Sequence, residues 1–550
     1  MQNWIYPDFG DVRPRCRSKW VWCALALLAT VGFVATMALE RSVEIGRLSA
    51  PIWYDDVVYL FDAQSVLHDA PHQSLASTLH QLLDEHALIP VLLGCIGFLL
   101  KPDGLTGPYV ADSVLLLVFL IGCIRQLRRM PTALIIGVVF AVGSIPLASL
   151  SVTEFRPDFG WGLITALAVV ETVSTNPFVC SRTKLVGLGL LTGLALISKP
   201  SAVPVTFAMV ALALAGTVWI HWTEAPGAVS LRTRLNRLLL LLVPIVVIAG
   251  PVYVVVGEEI YHYIILGLVT LKDQNTTSGD MYFHLQYYSF GDGGHTALGS
   301  ALPVCCAIWL AGLLFAPFYS RAMTTRFLLL LAVLAGSYIA PTQTPVKSVF
   351  FGSAFYALLV LSAVYVAARL AETAAGHWPR ARAWPGVAAV LFLAGGGALL
   401  YANLVDHPTG LMEPTDARRE DLREGTAKIW AMLKEHVLAA RQAQPRDGAS
   451  IVMVLAPEPI TGGWISLYGV IENVPLRGAG AYYAATLDDA NVILKSADYV
   501  VAGNSLQYQL YGPRLGDALL AELNASDDFH QIGSYHRLSG DDVYVYERRR

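Results

Sequence analysis

Along most of the first 400 residues, apolar runs of near-membrane length alternate with short polar breaks. A helix crosses the hydrocarbon core in about 20 residues. Runs at 20–39, 108–124, 131–149, 159–173, 185–198, 201–220, 238–256, 298–319, 327–340, 348–369 and 385–402 therefore predict eleven crossings. The count becomes twelve or thirteen if one long apolar block is two short helices. One further stretch, HALIPVLLGCIGFLL at 86–100, is apolar but short. It suits a tilted, juxtamembrane or re-entrant helix as well as a span.

Beyond residue 402 the period changes. The segment 416–441 places Leu422, Ile429, Leu433 and Val437 on one helical face. IVMVLAP (451–457) and ADYVVAG (497–503) read as buried strands, and ALLAELNAS (518–526) as a short helix. FHQIGSYHRL and DVYVYER alternate around a Ser-Gly-Asp turn, which predicts a hairpin. The expected organisation is a transmembrane domain over 1–402, with long outer loops at 40–107 and 257–297, and a soluble α/β domain over 403–550. The tail is read as a structural cap over the membrane domain or, alternatively, as a direct contact with substrate.

Composition narrows the class. Charged residues make up 15% of the chain, against about 25% in soluble proteins. A single soluble domain, a disordered chain and a collagen-like fibre are excluded. The tail holds 14 of the 38 basic and 20 of the 42 acidic residues, which marks it as solvated. No basic stripe suggests nucleic acid. The seven cysteines all lie at or before Cys306 and form no CxxC pair, so no metal cluster or disulfide framework is expected. The first apolar run follows a long polar start and is long enough to span, so a cleaved signal is not expected.

The order of the basic residues predicts direction. With 86–100 taken as non-crossing and the N-terminus in the cytoplasm, seventeen Lys and Arg fall inside and seven outside, before the tail. The tail then faces away from the cytoplasm. Absence of retention signals points to a bacterial inner membrane.

Candidate chemistry gathers on the predicted outer side. Asp55 and Asp56 follow Trp53 and Tyr54, with Tyr59 and Phe61 close behind. The pair is ordinary loop charge, a cation site, or a general base beside a partner carboxylate. Glu154, Arg156 and Asp158 stand where SVTEFRPDFG leaves one span, with Pro157 breaking the helix. Charges at that depth mark a polar cavity or a paired cap. Lys199 in LISKPSAVP and Lys347 in PTQTPVKSVF each sit at the outer end of a span. Each either snorkels to headgroups or neutralises a phosphate, together with Arg156 and His86. Tyr263 and Tyr288 belong to an aromatic second loop, suited to membrane anchoring or to stacking on a sugar.

In this arrangement the chain resembles the GT-C superfamily of membrane glycosyltransferases. The branch it is most similar to contains the protein O-mannosyltransferases and the aminoarabinose transferases of lipid A. The likeness covers roughly residues 20–370. It rests on Asp55-Asp56 in the first outer loop, Arg156-Pro157-Asp158, and Ser198-Lys199-Pro200 in place of Thr-Lys-Gly. His86-Ala87-Leu88-Ile89-Pro90 stands where the family has a His or Lys followed by Pro-Pro-Leu. The resemblance implies a GT-C-like polytopic helical fold with a C-terminal extracytoplasmic domain. It implies a polyprenyl-phosphate-linked sugar as donor and a lipid, glycan or protein as acceptor. Asp55 becomes the base and Asp158 a second catalytic carboxylate. Lys199, Arg156, His86 and Lys347 become donor-phosphate ligands, with Asp56, Glu154, Tyr54, Tyr263 and Tyr288 accessory. The cofactor is left open: either none, or a divalent metal touching Asp56. A polyprenyl-linked polysaccharide polymerase or ligase, a lipid transporter and a non-catalytic assembly subunit are the rival classes.

Overall fold

The computed structural model describes residues 15–45, 48, 55–84, 87–101, 104–224, 229–265, 277–344, 346–377, 385–406, 416–444, 448–455, 460–480, 486–503, 513–538, 540 and 542–549. Helix α1 (Arg15–Glu44) opens the bundle. Three helices follow before the next long span: α2 (Asp56–Asp69), α3 (Leu75–Asp84) and α4 (Leu88–Leu100). Helix α4 is the ambiguous 86–100 stretch. Its 13 residues reach only about 20 Å at 1.5 Å per residue, short of a core about 30 Å thick.

The bundle continues through α5 (Thr106–Gln126), α6 (Thr132–Gly143), α7 (Pro146–Thr153), α8 (Pro157–Ser174), α9 (Arg182–Ile197), α10 (Val203–Glu224) and α11 (Leu231–Ile265). After α12 (Met281–Gln286) come α13 (Asp292–Leu298), α14 (Ala301–Leu314), α15 (Arg321–Thr342), α16 (Ser353–His377) and α17 (Pro385–Tyr401). Every one of the eleven expected crossings has helix at its place. Among the described residues, seven helices are long and apolar enough to cross, and up to nine if each bent pair counts as one. The bent pairs are α6 with α7, turned by 59°, and α13 with α14, turned by 89°. Pro146 causes the first bend, because a proline at the start of a helix forbids continuation of the one before it. The two other expected spans are α8 and α9, which are present as helices of 18 and 16 residues. Helix α8 is buried from Pro157 to Val173, which makes it the hub of the bundle. Two loop boundaries shift. The 257–297 segment begins as a continuation of α11 to Ile265 and ends inside α13, so EEIYHY at 258–263 is helical.

The tail opens with α18 (Asp416–Ala443), on which Ile429, Leu433 and Val437 are buried as the face pattern predicts. Strand β1 (Ser450–Leu455), α19 (Gly462–Ile471), β2 (Leu476–Ala479), α20 (Leu487–Ser496), β3 (Tyr499–Gly503), α21 (Pro513–Ala525), β4 (Phe529–His536) and β5 (Asp542–Arg548) complete it. The sheet order is β2-β1-β3-β5-β4. β2, β1 and β3 run parallel, and the β4–β5 hairpin adds antiparallel to β3. Strand β3 is buried along its whole length, as a central strand covered on both faces must be. Val452, Tyr499 and Val501 face one layer with Ile429, Leu433 and Trp464, and Met453, Leu455, Val500 and Ala502 face the other with Leu494 and Leu519. The first layer does not stop at the tail. Val57, Leu60, Val91 and Tyr109 of α2, α4 and α5 belong to the same apolar core.

Candidate active site

The acidic pair splits by environment at the start of α2. Asp55 is the residue before the helix, in helical backbone, and its carboxylate makes no cap bond to α2. That side chain is 56% exposed, whereas Asp56 is fully buried. Successive helical residues point in different directions, so one carboxylate can look outward while its neighbour is anchored. Oδ2 of Asp56 accepts from Tyr109 Oη at 2.9 Å and from the backbone N–H of Phe155 at 2.9 Å. Asp56 thereby ties α2 to α5 and to the α7–α8 turn.

That turn supplies the cation. Glu154 ends α7, and Arg156 adopts extended backbone before Pro157 starts α8. Arg156 Nη2 donates to Asp55 Oδ2, and its Nε lies 3.5 Å from Asp158 Oδ2. Lys199, in extended backbone just after α9, donates to Asp158 Oδ1. The result is a continuous alternation Asp55–Arg156–Asp158–Lys199, exposed only at its Asp55 end. Glu154, buried, adds a further negative charge near Arg156. Aromatic walls dry the inner part. The Phe350 ring lies 3.7 Å from the Arg156 guanidinium, and Trp161 and Phe351 flank Lys199 Nζ at 5.4 and 5.0 Å. Ser353 Oγ donates to the backbone carbonyl of Asp158 at 2.7 Å. Gly162, one turn on, allows this, since a Cβ there would lie 2.6 Å from the Ser353 carbonyl carbon.

Lys347 is placed differently. Its Nζ donates to the carbonyls of Pro341, Thr342 and Thr344 at 3.0, 2.9 and 2.7 Å, and sits 5.4 Å from the Tyr288 ring centre. An ammonium has three protons, so these bonds use all of them at the C-terminus of α15. Tyr288 is buried against Tyr287 and Tyr356 rather than open to a ligand. Tyr263 lies in the last turn of α11, with its side chain outside the described residues, as are Tyr54 and His86. Among the described residues no three His, Cys, Asp or Glu side chains gather as a metal ion requires.

No protein-family model and no curated protein matches the chain. Solved structures do. ArnT from Cupriavidus metallidurans in the apo state aligns with a TM-score of 0.55 at 12% identity, over 96% of this chain and 98% of that one. The same protein bound to undecaprenyl phosphate gives 0.53 at 14% identity, over 94% and 98%. The chain has a GT-C-like fold. The Archaeoglobus fulgidus oligosaccharyltransferase, in complex with Zn and sulfate, aligns at 0.45 with 11% identity, over 86% of this chain and 67% of that one.

Within this GT-C-like frame, Tyr109, Phe155, Phe350, Trp161 and Ser353 are site neighbours that the sequence did not single out. Only the VFFGS run at 349–353, which begins two residues after Lys347, carried a visible signal: aromatic residues at the entry to a span.

Proposed function

We propose that this protein is an inverting membrane glycosyltransferase. It takes a sugar from a polyprenyl-phosphate carrier and passes it to a hydroxyl-bearing lipid, glycan or protein on the non-cytoplasmic side of a bacterial inner membrane. The observation that carries this reading is the Asp55–Arg156–Asp158–Lys199 alternation, held at one end of a GT-C-like bundle with only Asp55 open. Likeness to ArnT with undecaprenyl phosphate bound supports the carrier class.

The chemistry is one displacement. Asp55 takes the proton from the acceptor hydroxyl as that oxygen forms its bond to the anomeric carbon. The bond from that carbon to the carrier phosphate breaks, and the phosphate leaves with the electron pair. Arg156 and Lys199 meet the growing negative charge. Fixed cations in a water-poor site do this without reorganising. Both have N–H groups beyond those given to Asp55 and Asp158. Asp158 sits between the two cations and spaces them. Nothing in this scheme requires a metal.

The test uses a deletion strain. Mass spectrometry of its lipids, glycans and surface proteins should reveal one missing glycosylated product, restored by the wild-type gene and not by Asp55→Asn. Purified wild type and Asp55→Asn should both bind undecaprenyl phosphate. A restored product with Asp55→Asn would overturn the base assignment. Net lipid movement with no product would make the protein a transporter.

A further inference from the structure

Two surfaces hold the start of α2, and only one belongs to the membrane domain. On the inner side Asp56 is bonded to Tyr109 and to the Phe155 N–H. On the outer side the next residue, Val57, is buried against the tail. The tail makes this contact with the first turn of α19, which begins Gly462-Gly463-Trp464. The two glycines face opposite neighbours. A Cβ on Gly462 would lie 3.1 Å from the backbone of Ala479 and Gly478 in β2, and a Cβ on Gly463 would lie 2.7 Å from Val57 Cγ1. This turn is therefore a thin shim between the sheet and α2, with no room for a side chain on either side. Behind it Trp464 is locked by Trp430 of α18, with ring centres 5.9 Å apart and planes at 76°, and by Tyr468 at 5.1 Å. Thr461 fixes the turn's start by accepting from the Trp464 N–H.

We infer that Gly463 is a positioning residue: through Val57, the C-terminal domain sets where the Asp55 carboxylate stands. Asp55 is two residues from Val57 on the same turn, and no flexible segment lies between them. A rigid push on Val57 moves Asp55 relative to Arg156. Base catalysis is sensitive to displacements of that kind, since about 1 Å of misplacement can cost on the order of a hundredfold in rate. The inference rests on the base assignment made above and adds to it the reason the soluble domain is built onto α2.

Geometry supplies a reciprocal test. Gly463→Ala adds the methyl that meets Val57 Cγ1, and Val57→Ala removes the atom it meets. In the full-length protein in native membranes, Gly463→Ala should lower turnover to the glycosylated product about tenfold or more, with undecaprenyl phosphate binding unchanged. The Gly463→Ala/Val57→Ala double variant should recover most of that loss. A general folding defect would not produce such rescue, and it would reduce carrier binding as well. Hydrogen exchange on the purified full chain gives a readout that needs no product. Amides at the start of α2 should exchange faster in Gly463→Ala and return toward wild type in the double variant. Wild-type turnover in Gly463→Ala overturns the inference, as does a double variant no better than the single one. If the wild type itself makes no product, the base assignment fails. The exchange experiment then decides alone whether the tail holds α2, and unchanged exchange ends that idea too.

Discussion

At the residue scale, the adjacent aspartates should fail in different ways. Asp55 contributes one half-exposed ion pair to Arg156, which keeps Asp158 as a second carboxylate and whose N–H an Asn oxygen at 55 can still accept. Asp55→Asn should cost about 10²–10⁴-fold in turnover while leaving thermal unfolding in detergent nearly unchanged. Asp56 is buried and satisfies two donors. Asp56→Ala strands the Phe155 N–H and the Tyr109 hydroxyl, and should lower stability by about 2 kcal/mol, seen as a lower unfolding temperature. Tyr109→Phe removes one of those donors together with its need for an acceptor, so its loss should be smaller. An Asp55→Asn protein that unfolds as early as Asp56→Ala would contradict this division. The acidic pair itself was legible in the sequence. Its division was not, because it depends on a backbone N–H 99 residues away and on a tyrosine 53 residues away.

At the element scale, the two interfacial lysines looked alike in sequence and are not alike in the fold. Each follows an apolar run and lies close to a proline. Lys199 leaves its helix in extended backbone and reaches a carboxylate on the neighbouring α8. Lys347 folds back over its own helix end, where unpaired carbonyls collect and the helix dipole is negative. Lys347→Met should therefore destabilise the protein by about 1–3 kcal/mol and leave undecaprenyl phosphate binding intact. Lys199→Ala should weaken that binding, and it should also lower the unfolding temperature, because it takes one of two cations from the buried Asp158. Titrating both variants with the carrier lipid distinguishes the roles, and weaker binding in Lys347→Met would return that lysine to the phosphate site. In the tail, α18 and the hairpin were legible from their periods, β1 and β3 from apolar runs stopped by a proline and a glycine, and α21 from a short apolar helical stretch. Helix α20 went unread, since the Thr486–Asp489 capping box that starts it is a signal only one turn long. Strand β2, four residues with one buried position at its start, has no alternation to read. The apolar, glycine-led α19 fits neither period by itself, since its glycines answer to β2 and to Val57 rather than to a repeat.

At the scale of the whole molecule, the bundle has two chemically distinct ends. Lys19 at the start of α1 donates to the carbonyls of Arg128 and Met130 past the end of α5. Arg125 and Gln126 bind the buried Glu171 near the end of α8, and Arg369 of α16 donates to the Gln126 carbonyl. These groups gather opposite the Asp55–Lys199 end, because α8 runs from one cluster to the other. Lys19, Arg125 and Arg369, which the charge bias assigns to the cytoplasm, thus lie at one end in three dimensions, independently of any membrane. Positive charge is retained on the cytoplasmic side during insertion, so the Asp55 end and the tail should face outward. Exposed positions for a test are Arg128 at the basic end, Gln73 between α2 and α3, and Asp527 in the tail. With the seven native cysteines replaced, single cysteines are placed at these three positions in turn. A membrane-impermeant maleimide added to intact spheroplasts should label Gln73→Cys and Asp527→Cys at once, and Arg128→Cys only after lysis. Labelling of Arg128→Cys on intact cells, with Gln73→Cys protected, would turn the molecule over. It would put Asp55 in the cytoplasm, away from acceptors of the cell surface, and remove the ground for an extracytoplasmic transfer.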